Sequence, residues 1–144
     1  MRIEETIELP YSPERIWPWL AEPERMPRWV EDVTSGRTRD GEPIRAGSLV
    51  ELVPKGRGAT IVAEVVRCEK ERELALRVQG GLPDGLVVEI AWNLAQSGTS
   101  TTLGLRAEAE LTGLMIFMES LIANQARKKL RAYAERLSAV IAED

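Results

Sequence analysis

The chain predicts an α+β fold: a curved antiparallel β-sheet wrapped around a long C-terminal α-helix, with two short helices after the first strand. Three observations carry this. Apolar and polar residues alternate with period two in several separate stretches, which is the pattern of half-buried strands. Prolines cluster between the first such stretch and the rest. After Gly113 the apolar period changes from two to three-and-four, and no glycine or proline interrupts Leu114 to Asp144. A sheet with one apolar face must bury it, and the long helix is the element available to cover it. The 144 residues, 44% hydrophobic and 29% charged, suit one globular domain spanning the whole chain.

The elements follow in order. Ile3, Ile7 and Leu9 alternate with Glu4, Thr6 and Glu8, with Glu5 breaking the apolar side, and Pro10 ends the strand. Ser12-Pro13-Glu14 is a helix start: a capping hydroxyl, proline at the first helical position and an acid at the positive end. Ile16, Trp17 and Leu20 share one face, with Trp19 off it and expected to be partly exposed. Pro18 should kink or shorten this helix, and Pro23 and Pro27 punctuate a second. Asp40-Gly41 marks a turn. Leu49–Val53, Ala59–Arg67 and Leu74–Val78 read as strands. In the second of these both parities are partly apolar, which leaves open the face Glu64 occupies. Leu86, Val88, Ile90, Trp92 and Leu94 alternate in one long strand, and Leu103 to Leu111 in another. Arg77 and Arg106 fall on the solvent parity. Met118, Ile122, Ala126, Leu130, Tyr133, Leu137 and Val140 then mark a helix of roughly 25 residues or more, about 40 Å long. The loops at 54–58 and 80–85 are rich in glycine and are the expected mobile entrance to anything enclosed.

Composition excludes several chemistries. There is no histidine, which removes Ser-His and Cys-His nucleophiles, histidine bases and nearly all zinc sites. The single cysteine, Cys68, cannot form an internal disulfide and points to a reducing, cytoplasmic setting. The acidic start Met1-Arg2-Ile3-Glu4-Glu5 has no apolar core of a signal peptide. The longest uncharged apolar stretch, Leu111 to Met118, is far too short to span a bilayer. A net charge of −4 gives no footprint for nucleic acid. No phosphate-cradling or dinucleotide-binding glycine motif is present, so no cofactor and no metal is expected.

The stretch Ile7-Glu8-Leu9-Pro10-Tyr11-Ser12-Pro13-Glu14-Arg15-Ile16-Trp17-Pro18-Trp19-Leu20, continuing through Pro23 and Pro27 to Arg28-Trp29, resembles the opening of the polyketide cyclase/dehydrase group. That group belongs to the START-like (SRPBCC) superfamily, with the helix-grip fold of the pollen allergens. The resemblance extends in element order along the whole chain. It implies a deep, mostly apolar pocket under the C-terminal helix, and it implies no particular reaction, because the superfamily includes cyclases, hydrolases, lipid carriers and binders.

Candidate pocket residues follow from position. Trp17, Trp19 and Trp29 lie within thirteen positions and serve either as an aromatic wall at a cavity mouth or as packing for the short helices. Trp92 shares a strand face with Ile90 and Leu94 and offers a flat surface and one N–H donor. Leu103 and Leu105 extend that apolar face. From the helix, Met115, Met118, Ile122 and Gln125 could line the cavity, with methionine suited to varied apolar shapes. Candidate proton-transfer groups are Glu119, Glu64 and Tyr133, because burial would raise a carboxyl into a working range and a buried hydroxyl needs a partner.

Three functional readings stand. The first is a cytoplasmic pocket protein for a hydrophobic small molecule of lipid, polyketide or aromatic type. The second is a polyketide aromatase/cyclase or dehydratase using a carboxylate or tyrosine in that pocket. The third is a lipid or quinone carrier at a membrane surface, cued by the basic run Gln125 to Arg131, which otherwise reads as a solvated helix face.

Overall fold

The computed structural model describes all 144 residues. Strands β1 (Arg2–Leu9), β2 (Val33–Thr38), β3 (Leu49–Pro54), β4 (Ile61–Glu69), β5 (Glu73–Gly80), β6 (Leu86–Ser97) and β7 (Ser100–Leu111) form one antiparallel sheet in the order β1-β7-β6-β5-β4-β3-β2. Helix α1 (Pro13–Ala21) and a 3-10 helix, Pro23–Arg28, join β1 to β2. A second 3-10 helix, Gly113–Met118, leads into α2 (Glu119–Glu143), which lies across the concave face. This is the expected helix-grip α+β architecture. No helix is long and apolar enough to cross a membrane.

Register explains the concave face. Leu74 pairs with Trp92, Leu76 with Ile90, Trp92 with Leu105 and Leu94 with Leu103. Because side chains alternate across a sheet, these apolar residues all project to one side. There they meet Leu130, Ala134, Leu137, Val140 and Ile141 of α2. On β1, Ile3, Ile7 and Leu9 take the same side. Glu5 shares it and is only partly exposed; Arg131 of α2 reaches it at 3.4 Å. The charge that interrupts the strand's apolar pattern is thus a tie between sheet and helix.

Several expectations are corrected. Pro18 does not end α1, which continues to Ala21. The carbonyl left without a donor by Pro18 belongs to Glu14, an exposed residue that water can satisfy. Trp19 is fully buried. The guanidinium groups of Arg25 and Arg28 lie 4.9 and 4.7 Å from its ring centre and cover it by cation–π contact. The C-terminal helix is not continuous from Leu114. Gly113, at φ +61°, turns the chain out of β7 into the 3-10 segment, and α2 starts only at Glu119. The buried stripe of α2 accordingly begins at Leu130; Met118 is exposed, and Ile122 and Ala126 are half-buried.

Strand β2 carries no sequence signal, since VTSGRT lacks alternation. It forms because β3 supplies the ladder and the first 3-10 helix packs on it. Gly36 permits that packing: a Cβ there would sit 2.4 Å from the Pro23 carbonyl oxygen. The mixed parity of β4 also has a cause. Ala63 and Val65 point into the core, and a bulge between Val65 and Arg67 shifts the phase so that Cys68 also packs inward. Glu64 therefore faces outward.

Candidate functional site

Between the sheet and α2 the packing leaves a cavity of about 290 Å³. Sixteen of its 19 lining residues are hydrophobic. Leu76, Ile90, Trp92 and Leu105 form the sheet side, Met26 and Trp29 the side of the short helices, and Leu130 part of the roof. Pro54 at the end of β3 and Leu82 in the β5–β6 loop also line the cavity. The volume lies just below the range for ligand pockets, about 300–1,000 Å³.

The three polar lining residues are Asp32, Lys129 and Tyr133, and they are in contact. Lys129 and Tyr133 stand one turn apart on α2, so both reach the same point. Asp32 follows the first 3-10 helix and meets them from across the cavity. The Tyr133 hydroxyl donates to Asp32 Oδ2, and Lys129 Nζ donates to the same oxygen at 3.2 Å. The Asp32 carbonyl accepts from the Lys55 amide at 2.7 Å, which ties the β3–β4 loop to this corner. The Tyr133 hydrogen bond, aided by the bond and charge of Lys129, holds the Asp32 carboxyl below its ordinary range despite partial burial. Burial first, and then the neighbouring Asp32 carboxylate, push the Tyr133 phenol well above its ordinary value. Tyr133 is therefore a firm hydrogen-bond donor and not a base.

Both shifts have consequences for stability. A raised phenol value stabilises the fold below the ordinary tyrosine value of 10.0, and that contribution is lost as pH rises beyond it. The lowered carboxyl stabilises above its ordinary value of 3.8 and is lost as pH falls through the native value. Urea midpoints measured from pH 7 upward should fall above pH 10.0 in the parent protein and fall less in Tyr133→Phe. Equal alkaline losses in the two proteins would remove Tyr133 as the cause.

Aromatic residues form the rest of this corner. Trp29 Nε1 donates to the Trp19 carbonyl at 3.0 Å, which fixes the indole. Its ring meets Trp92 edge-on at 6.3 Å and Tyr133 at 6.5 Å between centres. Trp92 Nε1 is buried and has no hydrogen-bond partner. Trp29 and Tyr133 also border a wider, polar cleft of about 720 Å³ on the outside, with Arg28, Lys55, Glu135 and Arg136. The two rings thus separate an apolar interior from a charged exterior.

Of the residues expected at a pocket, Trp29, Ile90, Trp92, Leu105 and Tyr133 are brought together around this cavity. Leu103 is fully buried in the core beside Leu94 and does not border it. Met118, Glu119 and Gln125 are exposed; Met115 and Ile122 are half-buried and also lie outside the lining. The reason is geometric: α2 reaches the cavity only from Lys129 onward. Glu64 lies on the outer face, where it accepts from Gln79 Nε2 at 2.6 Å. Sequence reasoning missed Asp32 and Lys129. The spacing of Lys129 and Tyr133 on one helix face was a usable signal, whereas Asp32 lies 101 positions from Tyr133 and nothing local marks it.

The family model described as polyketide cyclase / dehydrase and lipid transport matches residues 1–142. No curated protein matches the chain in sequence. Among solved structures, a START superfamily protein from Mycobacterium smegmatis superposes with a TM-score of 0.79 at 19% identity, covering 99% of this chain and 97% of that one. Protein MLL2253 from Mesorhizobium loti gives 0.80 at 14% identity, with 99% and 98% covered. Ara h 8.0201 gives 0.77 at 11% identity, with 100% and 99% covered. At such identities these structures speak for the fold alone. The family match over nearly all of its length shows that this chain belongs to the polyketide cyclase / dehydrase and lipid transport family.

Proposed function

We propose that the protein binds a hydrophobic small molecule carrying one polar group, of lipid, polyketide or aromatic type, in the cavity under α2. One observation carries this reading: an almost wholly apolar cavity whose three polar lining residues, Asp32, Lys129 and Tyr133, form a single cluster. The apolar wall supplies affinity by removing ligand surface from water. The polar cluster orients the ligand by its oxygen atoms. The family to which the chain belongs supports the reading.

Native mass spectrometry of gently purified protein, followed by denaturing analysis of what is released, is expected to show a discrete apolar adduct. Titration with 1-anilinonaphthalene-8-sulfonate should quench tryptophan emission saturably, because Trp29 and Trp92 both border the cavity. A clean protein mass together with no saturable quenching would sink the proposal.

A second reading, cyclisation or dehydration of a polyketide-like substrate, draws support from Tyr133 and Asp32. A phenol held protonated can turn its hydrogen bond from Asp32 to a developing oxyanion. Tyr133→Phe would then keep probe binding and lose turnover. Retained turnover in that variant would eliminate Tyr133 as the donor.

A further inference from the structure

The polar corner of the cavity leaves one carboxylate oxygen open. Tyr133 and Lys129 both donate to Asp32 Oδ2, and no group of the protein donates to Asp32 Oδ1. That oxygen is not sealed off, since the Asp32 side chain is 45% exposed. The donors beside it are unequally spent. The single hydroxyl proton of Tyr133 is committed to Oδ2. Lys129 has three ammonium protons and gives one of them to Oδ2, which leaves two. The corner therefore offers a ligand an acceptor that lacks a proton and, next to it, a donor with protons to spare.

Charge at this corner is balanced. Lys129 offsets Asp32 at 3.2 Å. Lys55 and Glu31, whose fields act on Asp32 and Tyr133, offset one another. No net positive field draws an anion in. A ligand carboxylate can accept from Lys129, but it has no proton for Oδ1 and brings a second anion beside Asp32. An ether likewise accepts from Lys129 and leaves Oδ1 unanswered. A hydroxyl does both: it donates to Oδ1, in a bond strengthened by the charge, and accepts from Lys129.

We infer that Asp32 sets the choice of ligand: its Oδ1 accepts the proton of an uncharged alcohol or phenol, and its charge turns away carboxylates of the same shape. The inference rests on the cavity reading above and names the polar group of that ligand. The cavity limits the rest. At about 290 Å³ it suits a compact apolar body of one or two rings rather than a pair of acyl chains.

Calorimetric titration at pH 7 with three probes built on one two-ring body tests this: 2-naphthol, which is uncharged there, 2-methoxynaphthalene and 2-naphthoate. The parent protein is expected to bind 2-naphthol about tenfold more tightly than either of the others. Asp32→Asn keeps the shape of the side chain, removes its charge and frees Lys129 to pair with an anion. In that variant 2-naphthoate should bind about tenfold more tightly than it does to the parent, and the advantage of 2-naphthol over 2-methoxynaphthalene should shrink. The sulfonate probe 1-anilinonaphthalene-8-sulfonate is an anion and should also bind Asp32→Asn more tightly than the parent. Ile90→Trp fills the cavity and should weaken all three naphthalene probes, which locates them there. Equal affinity of the parent for 2-naphthol and 2-naphthoate, or for 2-naphthol and 2-methoxynaphthalene, overturns the inference. So does an order of affinities in Asp32→Asn that matches the parent. In each of those cases, weakening by Ile90→Trp leaves the cavity reading standing. Binding of none of the three probes, or binding indifferent to Ile90→Trp, removes the cavity reading and the inference with it.

Discussion

Trp29→Ala is expected to cost about 3–5 kcal/mol of folding stability, the range for truncating a buried large aromatic. The indole is almost wholly buried and touches both layers. It packs edge-on against Trp92 of the sheet and Tyr133 of α2, and its N–H satisfies the Trp19 carbonyl. Alanine removes the packing, leaves that carbonyl without its donor and joins the apolar cavity to the outer polar cleft. Urea unfolding of the two proteins measures the loss. Trp29→Phe keeps a six-membered ring and loses the pyrrole part with its N–H, so its cost should be smaller than that of alanine, with about 1 kcal/mol of it from the missing hydrogen bond. A loss below about 1 kcal/mol for alanine would show that the corner collapses around the gap, and would contradict the rigid aromatic wall described here.

Ile90→Trp should reduce binding of the cavity probe more than tenfold while leaving the fold intact. Ile90 projects into the cavity beside Trp92, opposite Leu76 in the ladder. An indole there occupies space that a ligand needs. Overpacking of a filled core costs about 1–3 kcal/mol, but a side chain that enters a void pays less of that strain. Binding measured by tryptophan quenching and stability measured by urea should therefore separate. If the probe binds equally well to Ile90→Trp, its site lies elsewhere, and the outer cleft at Arg28 and Arg136 becomes the next place to look.

The legibility of this chain follows the range of the forces involved. Strands β6 and β7 announce themselves because one face of each is buried along most of its length, which forces alternation. Helix α1 is legible from Ser12-Pro13, because its cap is made by neighbours in sequence: the Arg15 amide donates to Ser12 Oγ at 3.4 Å. Strand β2 is not legible, because its ladder and its covering 3-10 helix come from elsewhere and its side chains bury no continuous face. Trp19 departs from the periodicity because part of its cover is not apolar; two arginines close over its ring, and helical periodicity scores only apolar neighbours.

The cavity divides in the same way. Ile90, Trp92, Leu105 and Tyr133 can be named from face and period, since an apolar face that must be covered is a local property of a strand or helix, whereas Trp29 is marked only by the clustering of three tryptophans within thirteen positions. The helix residues Met115, Met118, Ile122 and Gln125 were placed by extending one period back to Gly113, and the chain instead turns at Gly113 and starts α2 at Glu119. Helix α2 reaches the cavity only from Lys129 onward, which no local pattern encodes.

By itself the sequence determined the α+β class, most of the strands, the long C-terminal helix, the apolar face of the sheet and the exclusion of histidine chemistry. These depend on composition and on periods of two and 3.6, which are written in consecutive residues. Tertiary structure alone decided where α2 begins, which side Glu64 takes, that Asp32 meets Lys129 and Tyr133, and that Leu114 and Phe117 stand in solvent. Each of these depends on segments far apart in the chain arriving at one place, and the free energy that brings them there belongs to the packed whole.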